Sequence, residues 1–297
     1  MKNIQNIFGI LLVVFVSGLF IYATSGEQKQ MQPKKGTSQY FPQEVNFADE
    51  KAPLQIADVR ERLDRELLVN ANLHSSTILI IKRANRSFPI IEPILKQYGV
   101  QDDFKYLAVI ESALLNAVSP SGAKGVWQFM TDTAKEKGME VNEEVDERYH
   151  LKKATEAACR YLLQAKEKFG NWTLAAASYN GGMTGVNNKI DEQKVSNYYD
   201  LLLTDETSRY VFRILALKEI MKNPSLYGFE LDKNELYNQI PTKIIEVDSS
   251  ITDLASFAKQ QGINYKILKI HNPWLRDKKL SNSSKKKYQI EIPTEGY

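Results

Sequence analysis

Between Glu111 and Met130 the chain passes from an apolar run into a loop punctuated by one proline and two glycines, which demands a helix ending on a tight turn with exposed backbone. Upstream, Leu107, Ile110 and Leu114 recur at helical spacing and Asp102 is placed to cap the start, so one helix face enters a core and Glu111 stands beside the buried stripe. A carboxyl held near apolar groups resists ionisation, and its pKa rises toward the range where it donates a proton at neutral pH. The loop from Ser119 to Gly125 lets backbone approach a ligand, and a second helix is expected to carry Trp127, Gln128 and Met130. A lone glutamate beside hydrophobics is more usually a helix-surface residue or half of an ion pair, and spacing alone leaves those readings open.

The rest of the chain supports a mainly α fold. Residues 1–24 hold Lys2 and an apolar run from Ile7 to Ala23, an export signal that is either cleaved or kept as a membrane anchor. No cysteine stands just after the run, which excludes lipoprotein anchoring there. Residues 25–45 are polar and read as a flexible tether. Ile56, Val59, Leu63 and Leu67 mark an amphipathic helix whose charged residues face water. Further helices are expected over His74 to Asn85 and, from Pro89 to Gly99, over Ile90 to Tyr98. Residues 151–169 present a small-residue face and stop at Gly170; Asn171 to Tyr179 forms a short alanine-rich helix; a helix over 206–222 stops at Pro224. From residue 242 the order becomes β-α-α-β: Ile244 to Val247, Ile251 to Gln261, Tyr265 to His271, and Tyr288 to Ile292.

With 297 residues the chain can hold one ordinary core and a smaller module. A net charge of +3 gives no electrostatic case for nucleic acid as a partner. The single cysteine, Cys159, excludes an internal disulfide and reads as packing, and three scattered histidines form no metal constellation, so no metal or cofactor is expected.

Glu111-Ser112, Ser119, Gly122-Ala123-Lys124-Gly125 and Gln128-Phe129-Met130 together resemble the first motif of the lysozyme-like lytic transglycosylases of glycoside hydrolase family 23. Ser178-Tyr179-Asn180 before two glycines, and Glu206-Thr207 with Tyr210, resemble its later motifs. The arrangement is similar to the membrane-bound lytic murein transglycosylase D type, with a helical lead-in before the acid and LysM modules after. The resemblance implies a lysozyme-like helical domain over 46–235, its catalytic core about 95–225, and a small α+β LysM-like module over 242–294. That module departs from the pattern at Asp248-Ser249-Ser250, where Gly-Asp is usual.

The resemblance further implies an exported periplasmic or cell-envelope enzyme acting on peptidoglycan glycan strands. Glu111 would be acid and then base, Tyr179 would hydrogen-bond and orient it, and Ser119, Gln128, Met130, Asn180 and Tyr210 would line the sugar cleft. Without it, the tyrosines read as buried residues with satisfied hydroxyls, Met130 as core, and Ser119 and Asn180 as turn-stabilising groups. Trp127 is assigned to packing. Rival readings are a goose-type lysozyme-like hydrolase and a non-catalytic wall-binding protein.

Overall fold

The computed structural model describes residues 40–297, which form one compact unit. The expected export signal or anchor and residues 25–39 of the tether lie outside the described residues. No helix among the described residues is long and apolar enough to cross a membrane. At the end of the expected tether, Val45 is buried in the core and Arg60 lies over the Phe41 ring at 4.1 Å, so packing begins before residue 46.

Two short strands, β1 (Asn46–Phe47) and β2 (Glu50–Lys51), pair antiparallel around Ala48 and Asp49, both at positive φ. The Ala48 amide donates to the Asp103 carboxylate at 2.8 Å, which helps hold a turn that two non-glycine residues make reluctantly. Helix α1 (Ala57–Asn72) buries Val59, Leu63 and Leu67 at four-residue steps. It buries Glu66 as well, against the expectation that its acids face water, because Arg209 Nε donates to that carboxylate at 2.7 Å. Helix α2 runs unbroken over His74–Tyr98, where the sequence suggests two helices. Pro89 and Pro93 each forgo a backbone hydrogen bond, and the stripe Ile80, Ala84, Ile91 and Leu95, buried on both sides of them, offsets that loss.

Helix α3 (Lys105–Ser112) carries Glu111 and ends earlier than its apolar spacing suggests. Ala113 and Leu114 both adopt left-handed backbone, and Leu114 is buried from the turn and not from the helix. Asp102 does not cap α3; it lies in a 3-10 turn and its carboxylate accepts from Lys105 Nζ at 2.6 Å. The second helix expected at Trp127 is absent too. Residues 117–130 form a compact loop in which Lys124 bridges both Val118 and Phe129, and helix α4 begins only at Thr131 (Thr131–Glu136). Positive φ at Gly125 and Gln128 rules out a helix there.

Helices α5 (Leu151–Phe169) and α6 (Trp172–Gly181) follow the sequence closely, with Gly170 left-handed between them and Asn171 capping α6 through the Leu174 amide at 2.7 Å. After α7 (Met183–Gln193), helix α8 (Asp205–Lys222) runs through the middle of the domain against α1, α3 and α6. It is buried on nearly all sides, from Tyr210 and Val211 to Leu217 and Ile220, as a central helix must be.

The C-terminal module pairs β3 (Thr242–Val247) antiparallel with β4 (Tyr288–Pro293), enclosing α9 (Leu254–Gln260) and α10 (Tyr265–His271). Asp253 caps α9, which therefore starts later than Ile251. The module's apolar cluster also contains Val145 and Tyr149 from the helical domain.

Candidate active site

Glu111 sits in the last turn of α3, partly open to solvent, and three residues of α8 converge on it. Glu206, Tyr210 and Arg213 stand at i, i+4 and i+7, one face of a helix. The Tyr210 hydroxyl donates to Glu111 Oε1. Arg213 Nη2 donates to the Ile110 carbonyl at 3.0 Å and Glu206 faces the site from the helix start. Desolvation pushes the Glu111 carboxyl up to about 7, against the Tyr210 bond and the Arg213 charge, which pull it down, while Glu206 adds to the rise. Near neutral pH this carboxyl is therefore shared between acid and base forms. Burial also holds the phenols of Tyr179 and Tyr210 far above their usual range, so both stay neutral donors.

Tyr179 does not make the bond expected of it. Its hydroxyl donates to the Trp127 carbonyl at 2.8 Å and its ring meets Phe129 and Tyr161 edge-on, so it pins the loop. Tyr210, expected among the sugar contacts, instead orients Glu111. The exchange has a simple cause: Tyr210 lies one helical turn beyond Glu206 on α8, which packs directly on α3, whereas the C-terminal end of α6 faces the loop.

The remaining expected residues fall into two groups. Met130 is 46% exposed at the end of the loop, free to meet a ligand. Gln128 turns inward, its amide donating to the carbonyls of Ala117 at 3.1 Å and Gly125 at 2.7 Å. Ser119 Oγ accepts from the Ala123 amide at 2.9 Å and closes the loop tip. Asn180 Oδ1 accepts from Thr207 Oγ1 at 2.7 Å while its amide donates to Glu206 at 3.0 Å, joining α6 to the start of α8. Trp127 is fully buried, its indole donating to Thr155 Oγ1 at 2.8 Å, a packing residue as expected. Gly125 alone could occupy its place: a Cβ there would lie 1.9 Å from the Arg148 carbonyl oxygen. Sequence reasoning missed Arg213, whose seven-residue distance from Glu206 was the available signal, and Arg148, for which nothing local in the sequence gave one.

A lysozyme-like helical domain with a desolvated acid facing a glycine loop, followed by a β-α-α-β module, is the class that this geometry defines. Residues 88–202 match the family described as Transglycosylase SLT domain, and residues 243–296 the Soluble lytic transglycosylase C-terminal LysM-like domain. The chain thus carries an SLT domain followed by a LysM-like module. Over 231 residues, 76% of its length, it is 27% identical to the membrane-bound lytic murein transglycosylase D of Escherichia coli K12, and to the same degree to that of Escherichia coli O6:H1. The chain spans 50% of the length of these relatives.

Proposed function

We propose that the chain is a peptidoglycan lytic transglycosylase. It would cleave the β-1,4 bond between N-acetylmuramic acid and N-acetylglucosamine without water and leave a 1,6-anhydromuramoyl end. The observation that carries this reading is the Glu111 carboxyl, raised to about 7 by desolvation, bonded by the Tyr210 hydroxyl, and next in sequence to Ser112, whose hydroxyl donates to the Val126 carbonyl of the glycine loop at 2.8 Å. The SLT and LysM-like matches support it.

In its protonated form the Glu111 carboxyl, with Oε1 accepting from the Tyr210 phenol, holds its proton on Oε2. In the first step that proton passes to the glycosidic oxygen as the bond to the muramoyl C1 breaks through an oxocarbenium-like state. The resulting carboxylate then takes the proton of the muramoyl 6-hydroxyl, whose oxygen closes onto C1. One group returns to its starting form and no water enters. Tyr210 orients Glu111 in both steps, and Tyr179 holds the Trp127 backbone that faces it. Ser119, Gln128 and Asn180 shape the cleft by fixing loop and helix ends, and Met130 contacts sugar.

The same reading assigns residues 1–24 to export or membrane anchoring, the stretch from 25 to the packed residues Phe41 and Val45 to a tether, the helical domain through 235 to catalysis and 242–294 to the LysM-like module. It places the protein in the periplasm or cell envelope, with residues 7–23 either cleaved after export or kept as a membrane anchor. The test is mass analysis of purified peptidoglycan digested by the wild type and by Glu111→Gln. Anhydro ends, one water lighter than hydrolytic ends, are expected from the wild type and none from the variant. Hydrolytic ends would favour a lysozyme-like hydrolase, a reading to which Glu206, a second carboxylate whose charge raises the Glu111 pKa, lends weight. Sacculus binding with equally little release from both proteins would leave a wall-binding protein.

A further inference from the structure

A turn of chain lies between the catalytic loop and the LysM-like module and touches both. Residues 141–146 close on themselves through a bridge between Val141 and Asp146. Asp146 and Arg148, each 3% exposed, form a two-pronged ion pair, Nε to Oδ1 at 2.9 Å and Nη2 to Oδ2 at 2.8 Å. Toward the loop, the third guanidinium nitrogen, Nη1, donates to the Phe129 carbonyl at 3.3 Å and to Thr131 Oγ1 at 3.0 Å. The Arg148 carbonyl is the wall against which Gly125 packs, and the Asn116 amide reaches the Tyr149 carbonyl at 3.4 Å.

Toward the module, the Asp146 amide donates to the Trp274 carbonyl at 2.9 Å and the Arg276 amide to the Glu144 carbonyl at 2.7 Å. Val145 and Tyr149 complete the module's apolar cluster, and the His150 ring stacks on Trp274. Lys286 and Tyr288 bind Glu140 from the module side, at 2.6 Å and 3.0 Å. An arginine fork sunk this deeply, with every bond directed at backbone, hydroxyl or a buried carboxylate, has no solvent-facing task. Its geometry fixes the segment that ends in Gln128 and Met130.

Resting on the function proposed above, we propose that Arg148 is a positioning residue for the loop 116–131, and that the LysM-like module braces the cleft through Asp146 and Trp274. The module is then part of the catalytic unit. An appended binder on a linker would leave the loop indifferent to it.

The test uses full-length protein with Arg148→Met, Arg148→Lys and Trp274→Ala, each compared with the wild type. Amide hydrogen exchange in 116–131 should quicken at least tenfold in Arg148→Met and in Trp274→Ala, with α6 unchanged. On peptidoglycan, kcat/KM per folded molecule should fall at least tenfold in both, with the pH limb set by Glu111 unmoved because Arg148 does not touch that carboxyl. Arg148→Lys, which keeps the charge but loses the fork, should recover part of the loss. Folded variants with wild-type exchange in 116–131 would overturn the proposal, as would wild-type kcat/KM. If Arg148→Met fails to fold, Thr131→Val, which removes one end of the link, and Trp274→Ala decide the question. A wild type that releases nothing from peptidoglycan would refute the proposed function, and the exchange rates would still decide the brace.

Discussion

At the level of single residues, Glu111 carries a conflict between stability and chemistry. Its carboxyl rises from 4.5 to about 7 on folding, so the folded state binds the proton more tightly than the unfolded chain. The stabilisation from that proton is full below the unfolded value of 4.5 and is lost as pH rises through about 7. Glu111→Gln should therefore raise the melting temperature over wild type more at pH 8 than at pH 5, by up to ~3 kcal/mol of stability, read by calorimetry at both pH values. The same variant should lose about 10²- to 10⁴-fold in turnover, the usual worth of a positioned acid. Tyr210→Phe removes a bond that favours the ionised form, so the Glu111 pKa should rise further. The alkaline limb of the rate profile then moves to higher pH, while the rate falls through lost orientation. A limb that moves down would sink the assignment of Tyr210 as donor to Glu111.

Among the elements, the loop 117–130 stands on backbone geometry that side-chain patterns do not announce. Two of its glycines are left-handed, yet their surroundings differ: a Cβ at Gly122 meets nothing, and one at Gly125 meets the Arg148 carbonyl. Gly122→Ala should cost about 1 kcal/mol of strain, with the cleft intact. Gly125→Ala carries both strain and collision and should cost several times that, along with most of the activity. Denaturant unfolding and turnover measured on the pair separate conformational strain from displaced loop. Helix α2 teaches a related lesson. Two prolines argue for a break, and burial of one long stripe against α5 outweighs them.

For the molecule as a whole, the shared cluster joining Val145 and Tyr149 to the module predicts one cooperative unit. Leu268, fully buried in that cluster's module half, is far from Glu111 in sequence and borders none of its partners. Leu268→Ala should remove about 2–5 kcal/mol by leaving a cavity. Because the two clusters are tied by the 140–149 turn, far-UV and near-UV circular dichroism should report a single transition moved by the same amount. Two separated transitions, with only the smaller one shifted, would show that the module melts alone.

What could be determined from the sequence was what local physics controls. Periodicity and caps placed α5, α6, α8 and α10 nearly to the residue, and the motif residues from Glu111 to Met130, through the family they resemble, singled out the candidate acid and its loop. Tertiary structure decided which tyrosine reaches the carboxyl, that Glu66 is buried with Arg209, that α2 survives its prolines, and that Arg148 ties loop to module. Each of those depends on a partner tens of residues distant or more, and a local pattern fixes which way a side chain faces without fixing what it will find there. The proton affinity of Glu111 belongs to both: the apolar run beside it foretold the rise, and the packed face of α8 set where it stops.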